Sequence, residues 1–349
     1  MTWLASVGSV TAAPQLGEHT RPAGGLAFDL AATLVCGWLL GGAYLDAWAH
    51  THVANLETFF TPWHAVLYAG FLAVAVFHGG AWALAVRRGR PWRRALPPGY
   101  GLSLAAVGLF AVGGVGDLCW HLAFGVEQNM DAALSPTHLL LACAIALLVS
   151  GPLRSAWQRP GHSVAQAAWL PLLASLTYAL SLATLVTQYA HPYVVVLAAL
   201  GTTPADPNQA QALGVTSIVL QTGVLMGPLL LVVRRWALPW GSLTLVFAAN
   251  AALLSVMQDQ YSFIPAAAAA GLGADALAHW LTPSVRRLRL FAFAAPALVY
   301  VFYFLTLALT GGIGWTVHFW LGSTVLAGAV GLLLSYLLVP PALPAPERA

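Results

Sequence analysis

The stretch GDLCWHLAFGVEQNMDAALSPTHLLL, residues 116–141, sets Asp117, His121, Glu127, Asp131 and His138 between two apolar runs. Ser135-Pro136 inside it is a helix-start signal, because serine suits the N-cap and proline the first helical position. The apolar runs on either side are long enough to cross a bilayer as helix, which takes about 20 residues. The stretch therefore reads as the polar turn of a membrane-spanning helical hairpin. Residues 45–70, LDAWAHTHVANLETFFTPWHAVLYAG, pass through the same steps in the same order.

Outward from these turns the chain stays apolar. Of its 349 residues 59% are hydrophobic and 7% charged, where a soluble domain carries about a quarter charged residues. A β-barrel would alternate apolar and polar positions, and these runs do not. The fold class is all-α, a polytopic transmembrane helix bundle, and the partner it demands is the lipid bilayer. No nucleic-acid partner is expected. Ten helices are predicted, at about 25–50, 62–86, 100–124, 136–157, 166–190, 212–233, 237–257, 264–282, 290–310 and 313–339. They form one transmembrane domain, 25–339, between tails 1–24 and 340–349.

The basic residues test the count. All fourteen are arginines, at 21, 87, 88, 90, 93, 94, 154, 159, 234, 235, 286, 287, 289 and 348. With ten spans every one falls on the same side, which the positive-inside rule makes cytoplasmic. Both tails then lie in the cytoplasm, and the protein is expected in the cell membrane. Cys36, Cys119 and Cys143 lie in apolar segments without CxxC spacing and read as small buried residues.

The two turns match as an internal repeat of hairpins 25–86 and 100–157. Asp46 and Asp117, His50 and His121, Glu57 and Glu127, and His64 and His138 stand 70 to 74 residues apart. Each turn reads Asp-x3-His, an acidic connection, then Ser/Thr-Pro-x-His. Chance predicts roughly 0.2 occurrences of Asp-x3-His; the chain has three, the third at Asp275 and His279. The i,i+4 spacing places carboxylate and imidazole on one helix face. His64 and His138 fall in the first turn of the next helix, where the dipole disfavours imidazolium and keeps the ring free to ligate. Each hairpin thus brings one Asp and two His to one depth near the outer face, a three-ligand metal set. The same groups also suit capping, hydrogen bonding across the hairpin, or proton and solute handling.

The pattern resembles the copper-binding C subunit of the particulate methane and ammonia monooxygenases. There, one module carries Asp-His-His and the other Asn-His-His. By this resemblance Asp46, His50 and His64 match the first set, and His121 and His138 the second, with Asp117 standing where the family has Asn. The match covers residues 46–138. It implies copper, favoured over iron or zinc, and an oxidoreductase acting with oxygen or a small apolar substrate, with partner membrane subunits. A transporter moving protons or metal ions through the same groups is the alternative, and a scaffold subunit a third reading.

Further candidates surround the core set. His318 at the start of the tenth helix, Glu57, Glu127 and Asp259 are possible additions. His52 and Asp131 lie in the outer connections, and Gln258 to Tyr261 could line a polar cavity. His191 reads as an interfacial residue beside aromatic anchors, and Asp275 with His279 as a separate buried pair. His64 and His78 have the spacing of a two-haem helix, but a partner histidine for His138 would fall at Pro152. Topology reporters inserted at 87–94 are expected to report the cytoplasm; an external signal there would overturn the arrangement.

Overall fold

The computed structural model describes residues 25–53, 59–125, 129–159, 166–202, 206–280 and 284–340. Its α-helices are α1 (Leu26–His52), α2 (Pro62–Arg87), α3 (Gly101–Phe124), α4 (Asn129–Leu134), α5 (Pro136–Val149), α6 (Gly151–Gln158), α7 (Trp169–Val186), α8 (Pro207–Arg235), α9 (Ser242–Met257), α10 (Phe263–Trp280), α11 (Val285–Thr310) and α12 (Val317–Leu338). Among the described residues no sheet forms, and a single antiparallel bridge joins Ala199 to Ile313. Seven helices are long and apolar enough to span a membrane, or eight when α5 and α6 count as one bent span. The molecule is a helical membrane bundle.

Each predicted span has a helical counterpart, with three differences. The fourth is broken, α5 meeting α6 at a bend of 41°. Pro152 in the first turn of α6 has no N–H to continue the ladder. Arg154 folds back over the break and donates to the carbonyls of Leu147 at 2.8 Å and Gly99 at 3.0 Å. Second, α8 begins at Pro207, earlier than predicted, because the Asp206 carboxylate caps the N–H groups of Asn208 and Gln209. Third, α9 has only 16 residues and α10 carries Asp275 and His279; neither meets the length and hydropathy of a full span.

The hairpins close through small residues. A Cβ on Gly42 would lie 2.8 Å from the Leu67 Cα, and one on Gly70 would lie 2.8 Å from the Leu39 Cα. The backbones of α1 and α2 therefore touch at reciprocal glycines, the packing that lipid-embedded helices favour. A Cβ on Gly271 would likewise meet the Thr244 Cα at 2.5 Å, drawing α10 against α9. Above that contact α9 starts at Gly241, which has φ 85° and offers no capping side chain. Asp275 of α10 supplies the cap instead, accepting from the N–H groups of Leu243 and Thr244, both at 3.0 Å. His279 bonds only the Asp275 backbone oxygen at 3.0 Å, so the expected carboxylate–histidine pair does not form.

Arginines gather at one end of the bundle. Arg159 pairs with buried Asp29, which also accepts from the Tyr100 hydroxyl at 2.7 Å. Arg235 donates to the Trp157 carbonyl, Arg234 to that of Leu338, and Arg289 to that of Val339. The start of α1 and the ends of α6, α8 and α12 therefore meet there. His78, fully buried against Phe28 and Tyr100, also lies toward this end, its Nδ1 donating to the Val74 carbonyl. The cysteines are free; Cys36 is buried, whereas Cys119 and Cys143 are exposed, which corrects the expectation for those two.

Two glycines separate packing from propensity. Gly70→Ala is expected to destabilise by about 1–3 kcal/mol, since its methyl would overlap α1. Gly79→Ala, with nothing within 4 Å, is expected to be neutral or up to about 1 kcal/mol stabilising. Thermal unfolding in detergent checks both, and equal effects would contradict the backbone contact.

Candidate metal centre

The site lies at the opposite end, where α1 and α3 finish and α2 and α5 begin. Thr61 accepts from the His64 N–H at 3.1 Å and Ser135 from the His138 N–H at 3.4 Å, each followed by proline at the first helical position. These caps place both histidines in the first turn, as their spacing indicated. The helix face of α1 then presents Asp46 and His50, and that of α3 presents Asp117 and His121.

Distances from the two carboxylates are alike. Asp46 Oδ2 lies 3.9 Å from His50 Nε2 and 3.4 Å from His64 Nε2. Asp117 Oδ2 lies 3.6 Å from His121 Nε2, and its Oδ1 lies 3.3 Å from His138 Nε2. These separations exceed the 2.7–2.9 Å typical of a charge-assisted hydrogen bond. They are close to the roughly 3.4 Å between two ligands of one tetrahedral ion with bonds of about 2.0–2.1 Å. His52 and Asp259, at the same end, are 2.8 Å apart and form an ordinary hydrogen-bonded pair.

Among the described residues two groups of three could hold an ion: Asp46, His50 and His64, and His64, Asp117 and His121. Within each, the ligand atoms lie within 4.8 Å of one another. His64 belongs to both, so the two hairpins meet at this ring. The second set expected from the spacing was Asp117, His121 and His138; in the second group His64 stands with Asp117 and His121. His138 stands beside the second group, its ring 5.6 Å from that of His121. Phe59 stacks on His64 at 4.9 Å and reaches His121 at 5.8 Å, covering the junction.

Outer contacts orient the ligands. His121 Nδ1 lies 3.2 Å from the Gly125 carbonyl oxygen, which can only accept. Nδ1 therefore carries a proton, which leaves Nε2 facing the Asp117 carboxylate at 3.6 Å, with both side chains 2% exposed. Thr137 donates to Asp117 Oδ1 at 2.9 Å and holds the carboxylate in place. Such partners set the tautomer and the direction of metal ligands.

The remaining candidates fall elsewhere. Asp259, at the turn between α9 and α10, has φ 56° and is held by His52 and by the Tyr261 hydroxyl at 2.9 Å. The His52 and Tyr261 hydrogen bonds keep its carboxyl below the usual range. Gln258 donates to Gln188 at 2.9 Å, so residues 258–261 latch α9 to neighbouring elements. His318 is exposed at the start of α12, outside both ligand groups. Asp131 is exposed in α4. Glu57 and Glu127 lie outside the described residues. His191 is 8% exposed and faces a cavity among α7 to α11.

No protein-family model, curated protein or solved structure matches the chain, so its chemistry rests on the geometry of Asp46, His50, His64, Asp117, His121 and His138.

Proposed function

We propose that this protein holds a transition metal between its first two hairpins. The observation that carries the reading is the convergence of Asp46, Asp117 and four imidazoles at one end of the bundle, with carboxylate–imidazole separations of 3.3–3.9 Å. Within each group of three the ligand atoms lie within 4.8 Å of one another, close enough to share one cation. Imidazole and carboxylate together suit copper, iron and zinc. Copper is favoured on the resemblance of Asp46, His50, His64, His121 and His138 to the monooxygenase C subunits.

The reading continues to a redox role at the outer face of a cell membrane. Eight crossings, with α9 and α10 entering and leaving on the same side and both tails cytoplasmic, would put every arginine on the inner side and the site on the outer side. The metal would supply electron transfer or oxygen chemistry, and a small apolar substrate would reach it through the bilayer. Asp46 would complete the sphere or orient His50, and Thr137 would keep Asp117 fixed. The two hairpins are read as duplicated copies, with Asp117 in the place of the family's Asn. Partner subunits would complete an oxidoreductase.

Transport through the same groups is less well supported. A path inward needs further free polar groups, but Asp29 is committed to Arg159 and Tyr100, and Asp275 to the start of α9. The test is elemental analysis of detergent-purified protein reconstituted separately with Cu(I), Fe(II) and Zn(II). Wild type should retain stoichiometric metal, copper most tightly, and the His50/His64/His121/His138 quadruple alanine variant none. Equal metal in the two would remove the proposal.

Single variants test the sharing. His64→Ala should weaken binding by at least about tenfold in chelator competition, since even outer partners of metal ligands account for 10–100-fold. His50→Ala and His138→Ala should each cost less. A larger loss from His138→Ala than from His64→Ala would show two independent centres.

A further inference from the structure

A second cavity lies in the other half of the bundle, among α7, α8, α9, α10 and α11. It offers about 50 Å³ to the centres of water-sized molecules. At roughly 10–15 Å³ for each such centre, that is room for about three to five small groups. Leu180, Leu225, Phe247 and Val299 form apolar walls, and His191, Gln221, Asn250 and Tyr300 contribute polar atoms.

Part of that polarity is already used. Gln221 Nε2 donates to Thr187 and Ala190 at 3.0–3.2 Å, pinning the turn that carries His191. The Tyr300 hydroxyl donates to the Ile218 carbonyl at 3.1 Å. Two others matter here. Asn250 Oδ1 is buried and has no hydrogen-bond partner, which is costly in a low-dielectric interior. His191 Nδ1 accepts from the Tyr193 N–H at 3.1 Å, so the proton of the neutral ring sits on Nε2. Burial pushes this imidazole down to about 3, which keeps it neutral. Nε2–H makes no hydrogen bond to a described residue. The cavity thus keeps a donor on His191 and a buried acceptor on Asn250 beside apolar walls, with no charged side chain lining it.

We infer that this cavity binds a small uncharged molecule with a short alkyl body and a single hydroxyl, a short-chain alcohol. The hydroxyl oxygen accepts from His191 Nε2–H and its hydrogen goes to Asn250 Oδ1, while three or four carbons lie along Leu180, Phe247 and Val299. An ion is disfavoured because nothing in the lining neutralises charge. A pure hydrocarbon is disfavoured because it leaves both polar atoms unmet. The site is separate from the Asp/His cluster and stands whether or not that cluster holds a metal.

The test is photolabelling of the full-length protein in detergent with a diazirine-bearing butanol, with labelled residues mapped by mass spectrometry. Label should concentrate on residues of 180–193 and 247–251, and 1-butanol should compete at least tenfold better than pentane. Asn250→Leu and His191→Phe should each lower that label at least tenfold without changing the metal content of the protein. Should either fail to fold, Val224→Phe, which fills the cavity from α8 and touches neither polar atom, should abolish the label while the variant elutes as wild type. Label spread over lipid-facing side chains, equal competition by pentane, or label unchanged in folded variants would each overturn the assignment.

Discussion

The backbones of α1 and α2 meet at Gly42 and Gly70, and the height of the clustered Asp and His side chains depends on that contact. Lipid gives helices no water-driven reason to associate, so packing and interhelical hydrogen bonds must do it. Gly42 stands one turn before Asp46, and Leu67, which it faces, stands three residues after His64. Closing the helices there sets carboxylate and imidazole at one level. The second hairpin keeps the same offsets. Gly113 precedes Asp117 by four residues and faces Leu141, three residues after His138. That contact is to a Leu141 side chain at 3.0 Å and not to backbone, so it is more forgiving.

The two ends of the bundle treat their polar groups in opposite ways. At the arginine end the buried charges are tied to structural partners. Asp29 holds Arg159 and Tyr100, and Arg154 donates to the Leu147 carbonyl beside the α5–α6 break. Removing one member would leave the other buried and uncompensated, which is strongly destabilising. At the other end carboxylates and imidazoles stand 3.3–3.9 Å apart, too far for strong hydrogen bonds and suited to sharing a cation. The His52–Asp259 and Gln188–Gln258 bonds brace that end by tying the first hairpin and α7 to the turn after α9.

Local pattern was enough for much of this. Apolar run lengths determined an all-α membrane bundle, because only an internally bonded helix or a closed barrel satisfies the backbone in lipid. Thr61-Pro62 and Ser135-Pro136 determined where α2 and α5 begin, and with that the first-turn positions of His64 and His138. The i,i+4 spacing put Asp46 with His50 and Asp117 with His121. Asp206-Pro207 carried the same kind of signal for α8 and went unread beneath the apolar pattern.

Tertiary structure alone decided the rest. Asp275 sits four residues before His279, yet its carboxylate serves the N-terminus of α9, because an uncapped buried helix end attracts an acceptor more strongly than a neutral ring does. His191 lies among aromatic residues in the sequence, and only the packing of α7 to α11 encloses it. The sharing of His64 between two ligand groups depends on how α2 meets α3, a contact between residues more than fifty positions apart. Sequence spacing determines what one helix presents on one face; which faces meet is set by packing across the whole bundle, and that is where the site is assembled.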